Sequence, residues 1–408
     1  MRAVICGAGI AGLALAQRLA DDGCRVTVVE RHQGPRAQGY MLDFWGLGYD
    51  AAERMGVLPR LLELRYPVDA AEYVDASGRR RGRIDYSRFV ALLHGRLLSL
   101  MRPDLEQALR EQVEGRVDLR FGYTVTGVDQ VDGGVRVSLS DAAGMNGAVL
   151  DADLLVGADG VHSTVRQMVF GDEAQFIRYL GFHTAAYVFE DPDLRRDIGN
   201  RFSLTDSVDR MMGVYGLRDG RVAAFAVHRE PDPALPADPR SVLRERYESL
   251  GWLVPRVLDG CPPGSELYYD QVAQVEVPQW HRGRVVLLGD ACQAVSLLAG
   301  QGASLAVAAA VVLAEQIASA PSLDDGLERY ERIWAPLVAE RQAAGRRGTE
   351  WFLPSSRSRL WIRRAALRTA ALPGWSRVVA HGLVGKSNLR IEDVLAADPD
   401  LANLASRA

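Results

Sequence analysis

Lysine is almost missing from this chain of 408 residues. Lys386 is the only one, and the other 47 basic residues are arginines. Any chemistry that needs a catalytic lysine must use Lys386 or be absent. Cysteine is scarce: Cys6, Cys24, Cys261 and Cys292 form no CxxC pair, and no cysteine/histidine cluster has zinc spacing. No metal centre is expected. An excess of one charge is also lacking. The formal net charge is −4 and mixed along the chain, which argues against a nucleic-acid binder. Long hydrophobic runs are absent too. Residues 291–314 carry no charge, but Gln293, Ser296, Gly300, Gln301, Gly302 and Ser304 interrupt them. The unbroken apolar run 305–314 falls well short of the ~20 residues a span needs, so a buried helix is expected. The first glycine motif leaves no room before it for a signal peptide, so the chain reads as cytoplasmic with free thiols.

What is present is the balance of a globular protein, 48% hydrophobic and 25% charged. The length suits two or three domains at roughly 100–200 residues each. Residues 2–6 predict a strand, GAGIAG follows over 7–12, residues 13–20 predict a helix, and RVTVVE over 25–30 predicts a second strand. This βαβ unit implies a parallel sheet. Residues 98–113 predict an amphipathic helix, 117–121, 124–131 and 135–139 three strands, and 153–156 a buried strand ending at GADG. Residues 181–190, 201–205, 211–217 and 221–229 predict an antiparallel sheet. A helix over 240–250 follows. Residues 284–288 return to a parallel strand ending at Gly289-Asp290. Residues 304–318, 323–346 and a basic tail after Pro354 predict helices.

Each glycine of Gly7-Ala8-Gly9-Ile10-Ala11-Gly12 has its own physical reason. The first allows a tight turn, the second lets the backbone approach a pyrophosphate, and the third lets helix and strand pack closely. The phosphate then faces unpaired N–H groups and the positive end of the helix dipole. Glu30 ends the second strand, 18 residues after Gly12, where its carboxylate can accept from a ribose diol. This motif predicts dinucleotide binding without separating NAD from FAD. Two later segments separate them: GADGVHSTVR over 157–166, and Gly289-Asp290-Ala291 followed by Gly300-Gln301-Gly302. Each puts an aspartate at a strand end, where open α/β sheets bind ligands. Taken alone, either aspartate reads as a turn residue.

In this order, the motifs resemble those of the class A flavoprotein monooxygenases, the FAD-dependent aromatic hydroxylases typified by p-hydroxybenzoate hydroxylase. The chain looks closest to the smaller bacterial members related to tetracycline-modifying monooxygenases, over roughly residues 1–346. The resemblance implies an α/β fold: a Rossmann-like (GR2-type) FAD-binding domain with a parallel sheet over 1–175, lending a segment near 70–97 to the substrate domain. An inserted antiparallel-sheet substrate domain spans 176–272, the FAD-binding domain returns over 273–345, and 346–408 form a helical tail. Gly7, Gly9, Ile10, Ala11, Gly12, Glu30 and Arg31 would hold the ADP half of FAD. Arg102, in LMRPDL, and Gly39, in QGYMLD, would flank the flavin. Asp159 and Gly160 fall in a stretch associated with FAD and NAD(P)H. Gly289, Asp290, Gly302 and Ala303 would meet the ribityl chain and ring. The implied reaction is hydride transfer from NADPH or NADH to FAD. A C4a-hydroperoxide formed with O2 then hydroxylates an aromatic or polyketide-like molecule, as in secondary metabolism and antibiotic biosynthesis. The cofactor carries the chemistry, and no protein residue is assigned as catalytic. Three positions depart from the family: Gln293 replaces a histidine, Leu297 a proline, and Ser304 an asparagine. They bear on the efficiency of oxygen transfer. Gln293 and Leu297 lean toward an alternative class, a non-oxidising cyclase or binding protein with structural FAD.

His183, His228, Tyr187, Tyr215 and Arg201 lie on the predicted middle strands, where alternation turns about half of such residues away from a pocket. Arg201, Tyr187 and Tyr215 are the substrate candidates, with Leu297 on the loop. Arg201 leads because a similar arginine contacts substrate in the tetracycline-modifying relatives. Cys6 and Cys292 read as small buried residues. The tail over 357–390 carries seven arginines and Lys386 with Leu360, Trp361 and Leu367 interleaved. A helix packed on the FAD domain is expected there rather than membrane contact. The expected assembly is a monomer or homodimer.

Overall fold

The computed structural model describes residues 1–36, 39–141, 144, 146–264, 266–296, 300–369 and 389–396. Strands are numbered in chain order. One sheet of six strands runs β17 (His281–Arg282), β18 (Val285–Leu287), β11 (Leu154–Gly157), β1 (Arg2–Cys6), β2 (Arg25–Glu30), β7 (Asp118–Phe121). All its pairings are parallel except β17 with β18. Its central strands are short apolar runs whose residues are almost all buried, as a sheet covered on both faces requires. Helices α1 (Ile10–Asp21) and α11 (Gly302–Ser319) pack on each other in its core. A three-stranded meander, β8 (Tyr123–Val131), β9 (Gly134–Asp141) and β10 (Gly147–Ala152), packs against β1, β2 and β11.

A second sheet holds seven strands, in the order β16 (Tyr268–Val275), β12 (Ile177–Glu190), β15 (Arg221–Arg229), β14 (Arg210–Gly216), β13 (Arg201–Ser207), β4 (Ala70–Val74), β5 (Arg80–Asp85). Alternation gives it two faces. The back face carries Ala185, Tyr187, Met212, Val214, Ala224 and Ala226. These pack on α7 (Pro192–Ile198), α8 (Pro239–Tyr247) and α9 (Val254–Asp259). The front face carries Phe202, Tyr215, Ala223, Phe225 and Tyr268. A two-stranded ribbon of β3 (Met41–Trp45) and β6 (Leu97–Met101) lies beside it, with Met41 and Met101 packed on Tyr215.

The predicted helix over 98–113 is corrected at its start. Leu97–Met101 pair with β3 as a strand, and the helix α5 begins at Arg102, with Pro103 in its first turn. The apolar helix α11 is long enough to span a membrane, but two thirds of it, 67%, is buried inside the protein. The remaining helices are α2 (Leu47–Arg54), α3 (Leu58–Leu64), α4 (Tyr86–Leu92), α6 (Thr164–Val169), α10 (Asp290–Gln293), α12 (Leu323–Phe352), α13 (Arg357–Thr369) and α14 (Ile391–Ala396). The basic helix α13 packs on β5 of the second sheet, not on the FAD-side sheet as expected. Its Arg363 and Arg364 both pair with Asp206 of β13, so charge pairing steers it there. Lys386 lies outside the described residues.

Candidate active site

The glycine loop joins β1 to α1 beside the ends of β2 and β11. Gly7 has φ +110°, and a Cβ there would lie 2.3 Å from the Ala158 carbonyl oxygen. A Cβ on Gly12 would sit 2.0 Å from the Gly7 oxygen. These two glycines serve backbone packing. Gly9 is different: among the described residues the nearest atom to its missing Cβ is Arg102 Nη2, at 3.8 Å. It leaves space where the N-terminus of α1, with Ile10 and Ala11 in its first turn, offers free N–H groups. Arg102 lines this space, with Arg36 near enough for their charges to interact. Arg102 is held at 2.7 Å by Glu106, one turn along α5. Burial and the nearby Arg102 charge lower the pKa of Arg36. A guanidinium before a helix N-terminus, with a second one nearby, suits a dianionic pyrophosphate. Gly39 packs on Pro103, 2.7 Å from where its Cβ would stand. Arg31 is exposed beside the loop.

Glu30 takes N–H bonds from Ala8 and His32, each at 3.0 Å, and a 2.7 Å contact from His32 Nδ1. Burial opposes its charge, but these bonds outweigh it and lower its pKa. A carboxylate results, with lone pairs left for hydroxyl donors. Asp159 is committed differently. Its oxygens accept from Ser163 Oγ and from the N–H groups of Thr164 and Val165, at 2.7 and 3.1 Å. It shapes the turn that Gly160 closes at φ +85°.

Gly289 turns at φ +65°, and a Cβ there would meet Ala11 at 2.6 Å. Asp290 follows. Its carboxylate reaches accessible space although protein surrounds it, which puts it on the wall of a crevice. Burial pushes its pKa up against the pull of Arg102. The position of a Gly302 Cβ is 3.9 Å from Asp290 Oδ1, and Gly302 and Ala303 open the 18-residue helix α11. Near Asp290 stands Tyr40, its ring centroid 6.2 Å from Phe225 and 6.0 Å from Tyr268. Burial pushes the Tyr40 phenol up to about 12, so it stays protonated. Glycine loop, paired arginines, crevice carboxylate and aromatic roof fit FAD with a ring-shaped substrate above it.

A family model described as an FAD binding domain matches residues 1–342. The chain belongs to this family of class A flavoprotein monooxygenases. It is an FAD-dependent oxidoreductase. The uncharacterized protein Rv1260 of Mycobacterium tuberculosis H37Rv is 34% identical over 325 residues, which is 78% of this chain and 85% of that protein. A flavin-dependent monooxygenase from an unknown prokaryotic organism is 29% identical over 355 residues, 86% of this chain and 90% of its own length. The crystal structure of tetracycline destructase Tet(55) superposes with a TM-score of 0.79 at 26% identity, covering 95% of this chain and 96% of that one.

The substrate candidates of this monooxygenase separate by face. Tyr215 stands on the front, and its hydroxyl accepts the Met41 N–H at 2.6 Å. Arg201 turns to the other face, because its neighbour Phe202 takes the front-facing register, yet both line one cavity with Met41, Tyr66 and Tyr215 at the end of β13. Arg201 instead donates to the carbonyls of Ile198, at 3.0 Å, and Asp197, closing the end of α7. Tyr187 is likewise a back-face residue, bonded to the Val257 carbonyl at 2.9 Å. His183 and His228 lie behind the sheet, sharing the Tyr269 hydroxyl at 3.1 and 3.4 Å. Burial raises the pKa of both Cys6 and Cys292, which leaves them protonated thiols. Leu297 lies outside the described residues. Gln293 is a structural joint: it accepts from Trp334 Nε1 at 2.6 Å and donates to the Leu305 carbonyl at 3.3 Å. Ser304 Oγ accepts the Trp45 N–H at 3.2 Å. Sequence reasoning missed Arg36, Tyr40, Phe225 and Tyr268. Alternation from Tyr215 across the paired strands was the signal for Phe225, and Arg36 had none.

Proposed function

We propose that this monooxygenase uses NADH or NADPH and O2 to hydroxylate an aromatic or polyketide-like small molecule in the cytoplasm. The observation that carries this reading is the aromatic cluster of Tyr40, Phe225 and Tyr268, close enough to Asp290 for its charge to act on the Tyr40 and Tyr268 phenols. The glycine loop, Glu30, Arg36 and Arg102 hold the dinucleotide end of FAD. Asp290 accepts from ribityl hydroxyls, and the N-terminus of α11 faces the ring. Bound FAD supplies electron transfer from reduced nicotinamide to O2 and delivery of one oxygen atom. The protein orients the substrate ring and excludes water with the front face of the second sheet. Tyr215 holds β3 against that face through the Met41 amide. Similarity to Tet(55) makes tetracyclines a first panel of substrates.

The test is a purified yellow protein whose NAD(P)H and O2 consumption rises with a candidate aromatic, with product heavier by one oxygen atom. A protein that binds flavin but shows no stimulated consumption with any ring compound would favour the non-oxidising alternative. A colourless protein that cannot be reconstituted refutes the site.

A further inference from the structure

One line of charge ties three elements around the crevice. His162 stands just after the Asp159–Gly160 turn. Its Nδ1 lies 3.0 Å from Glu173 Oε1, and its Nε2 lies 3.6 Å from Asp270 Oδ1. The other Glu173 oxygen is 3.2 Å from Arg166 Nη2. Arg166 is fully buried and donates from Nη1 to the Ala291 carbonyl at 2.9 Å, next to Asp290. At the far end, Asp270 sits two residues beyond Tyr268 on β16, so both point to the front face.

Among the described residues β16 is an edge strand, paired with β12 alone, and its register shifts between the Tyr179 and His183 pairings. Beyond that shift Tyr268–Gln271 pair with His183–Ala186 as a short stretch of their own, and the His162–Asp270 contact adds a side-chain tie to it from the free edge. We infer that His162 is a positioning residue whose imidazolium clamps Asp270 and so sets the distance of Tyr268 from the flavin ring. This rests on the placement of FAD given above.

The clamp carries a pH signature. Asp270, opposed by partial burial and helped by Glu173, pushes the His162 pKa up to about 9. The groups facing the ring are Asp270 from β16 and Glu173 from the turn before β12, with Arg166 of α6 behind Glu173. A histidine raised in the folded state contributes fully below its unfolded pKa, about 6.5, and its contribution is gone above the folded value.

The test uses the holoenzyme and the fluorescence of its bound flavin, which a nearby tyrosine ring quenches with steep distance dependence. From pH 6 to 10.5 the wild type is expected to brighten in a step centred near 9. In His162→Gln that step is lost and the flavin is bright throughout, with unchanged flavin content. Ionisation of the flavin itself persists in both proteins. Asp270→Asn serves as the second variant should His162→Gln fail to fold, and it is also expected to be bright and without the step. A wild type with no step, a step retained in His162→Gln, or Asp270→Asn behaving as wild type overturns the inference. A protein that binds no flavin refutes the functional reading as well, so the two failures are distinguishable.

Discussion

Alanine at Gly9 and at Gly12 separates two jobs done by one motif. At Gly12 the added Cβ would come within 2.0 Å of the Gly7 oxygen and 3.3 Å of Ile5 Cγ2. Backbone sits on one side and a buried strand on the other, so α1 itself must move. Overpacking of that kind costs about 1–3 kcal/mol and here should reach or exceed the top of that range. At Gly9 the backbone φ of −83° is open to any residue, and among the described residues the nearest side-chain atom to the new Cβ is Arg102 Nη2, at 3.8 Å. Losing a glycine cap costs some tenths of a kcal/mol, offset by about 0.4–1 kcal/mol from a stiffer unfolded chain. Stability should therefore stay within about 1 kcal/mol of wild type. The methyl instead occupies the approach of the pyrophosphate. Loss of one charge-assisted N–H bond, worth about 1.5–3 kcal/mol, weakens FAD roughly 10- to 150-fold. The assay pairs thermal unfolding of the apoprotein with FAD titration. Gly9→Ala should melt like wild type and bind weakly, and Gly12→Ala should melt early. Wild-type FAD affinity in Gly9→Ala, or a normally stable Gly12→Ala, would refute the division of roles.

Asp290→Ala should fold normally but lose flavin on gel filtration, since the carboxylate lines a crevice rather than a packed core; full flavin retention would make it a turn residue only. Gln293→Leu strands the fully buried Trp334 indole N–H and should cost about 1–3 kcal/mol by thermal unfolding. Gln293→His, which restores an acceptor, should cost less. Burial first, then the Arg246 charge and His183, lowers the His228 pKa to about 4. The unfolded chain takes up that proton below about pH 6.5 while the folded one refuses it, so stability falls toward pH 4 by up to about 1.4 kcal/mol per pH unit. His228→Asn should flatten the acid side of a melting-temperature profile, and an unchanged slope would assign the loss to other groups.

The βαβ start was legible because glycine spacing and β-branched runs speak in the same register of local geometry. β15 was read to the residue, since Arg221–Arg229 is closed by turns on both sides. Residues 98–101 were misread because an apolar run before a helix continues the helical period, and only pairing with β3 makes it part of a strand. Arg201 shows a different limit. Its residue type suited a substrate, but which face it takes depends on strand phase, and the aromatic at Phe202 sets that phase by packing across to Tyr215 at 5.2 Å. Gln293 looked like a lost functional group. Trp334, 41 residues away, is what makes it a structural joint, and separation of that order leaves no local trace.

The central strand β11 pairs with β1 on one edge and with β18 on the other. Between Gly157 and Leu287 about 130 residues intervene, including most of the second sheet. On a ribosome adding about 5–20 residues each second, that edge stays bare for roughly 6 to 26 s. Of the site residues the glycine loop emerges first and Asp290 and Gly302 last, so FAD can stabilise the chain only after β18 has been made. An exposed, apolar, parallel-pairing edge is a template for other nascent chains. Yield in a foreign host should thus depend on temperature and chaperone supply during synthesis, and flavin added to the growth medium should help less than slower translation after Gly157.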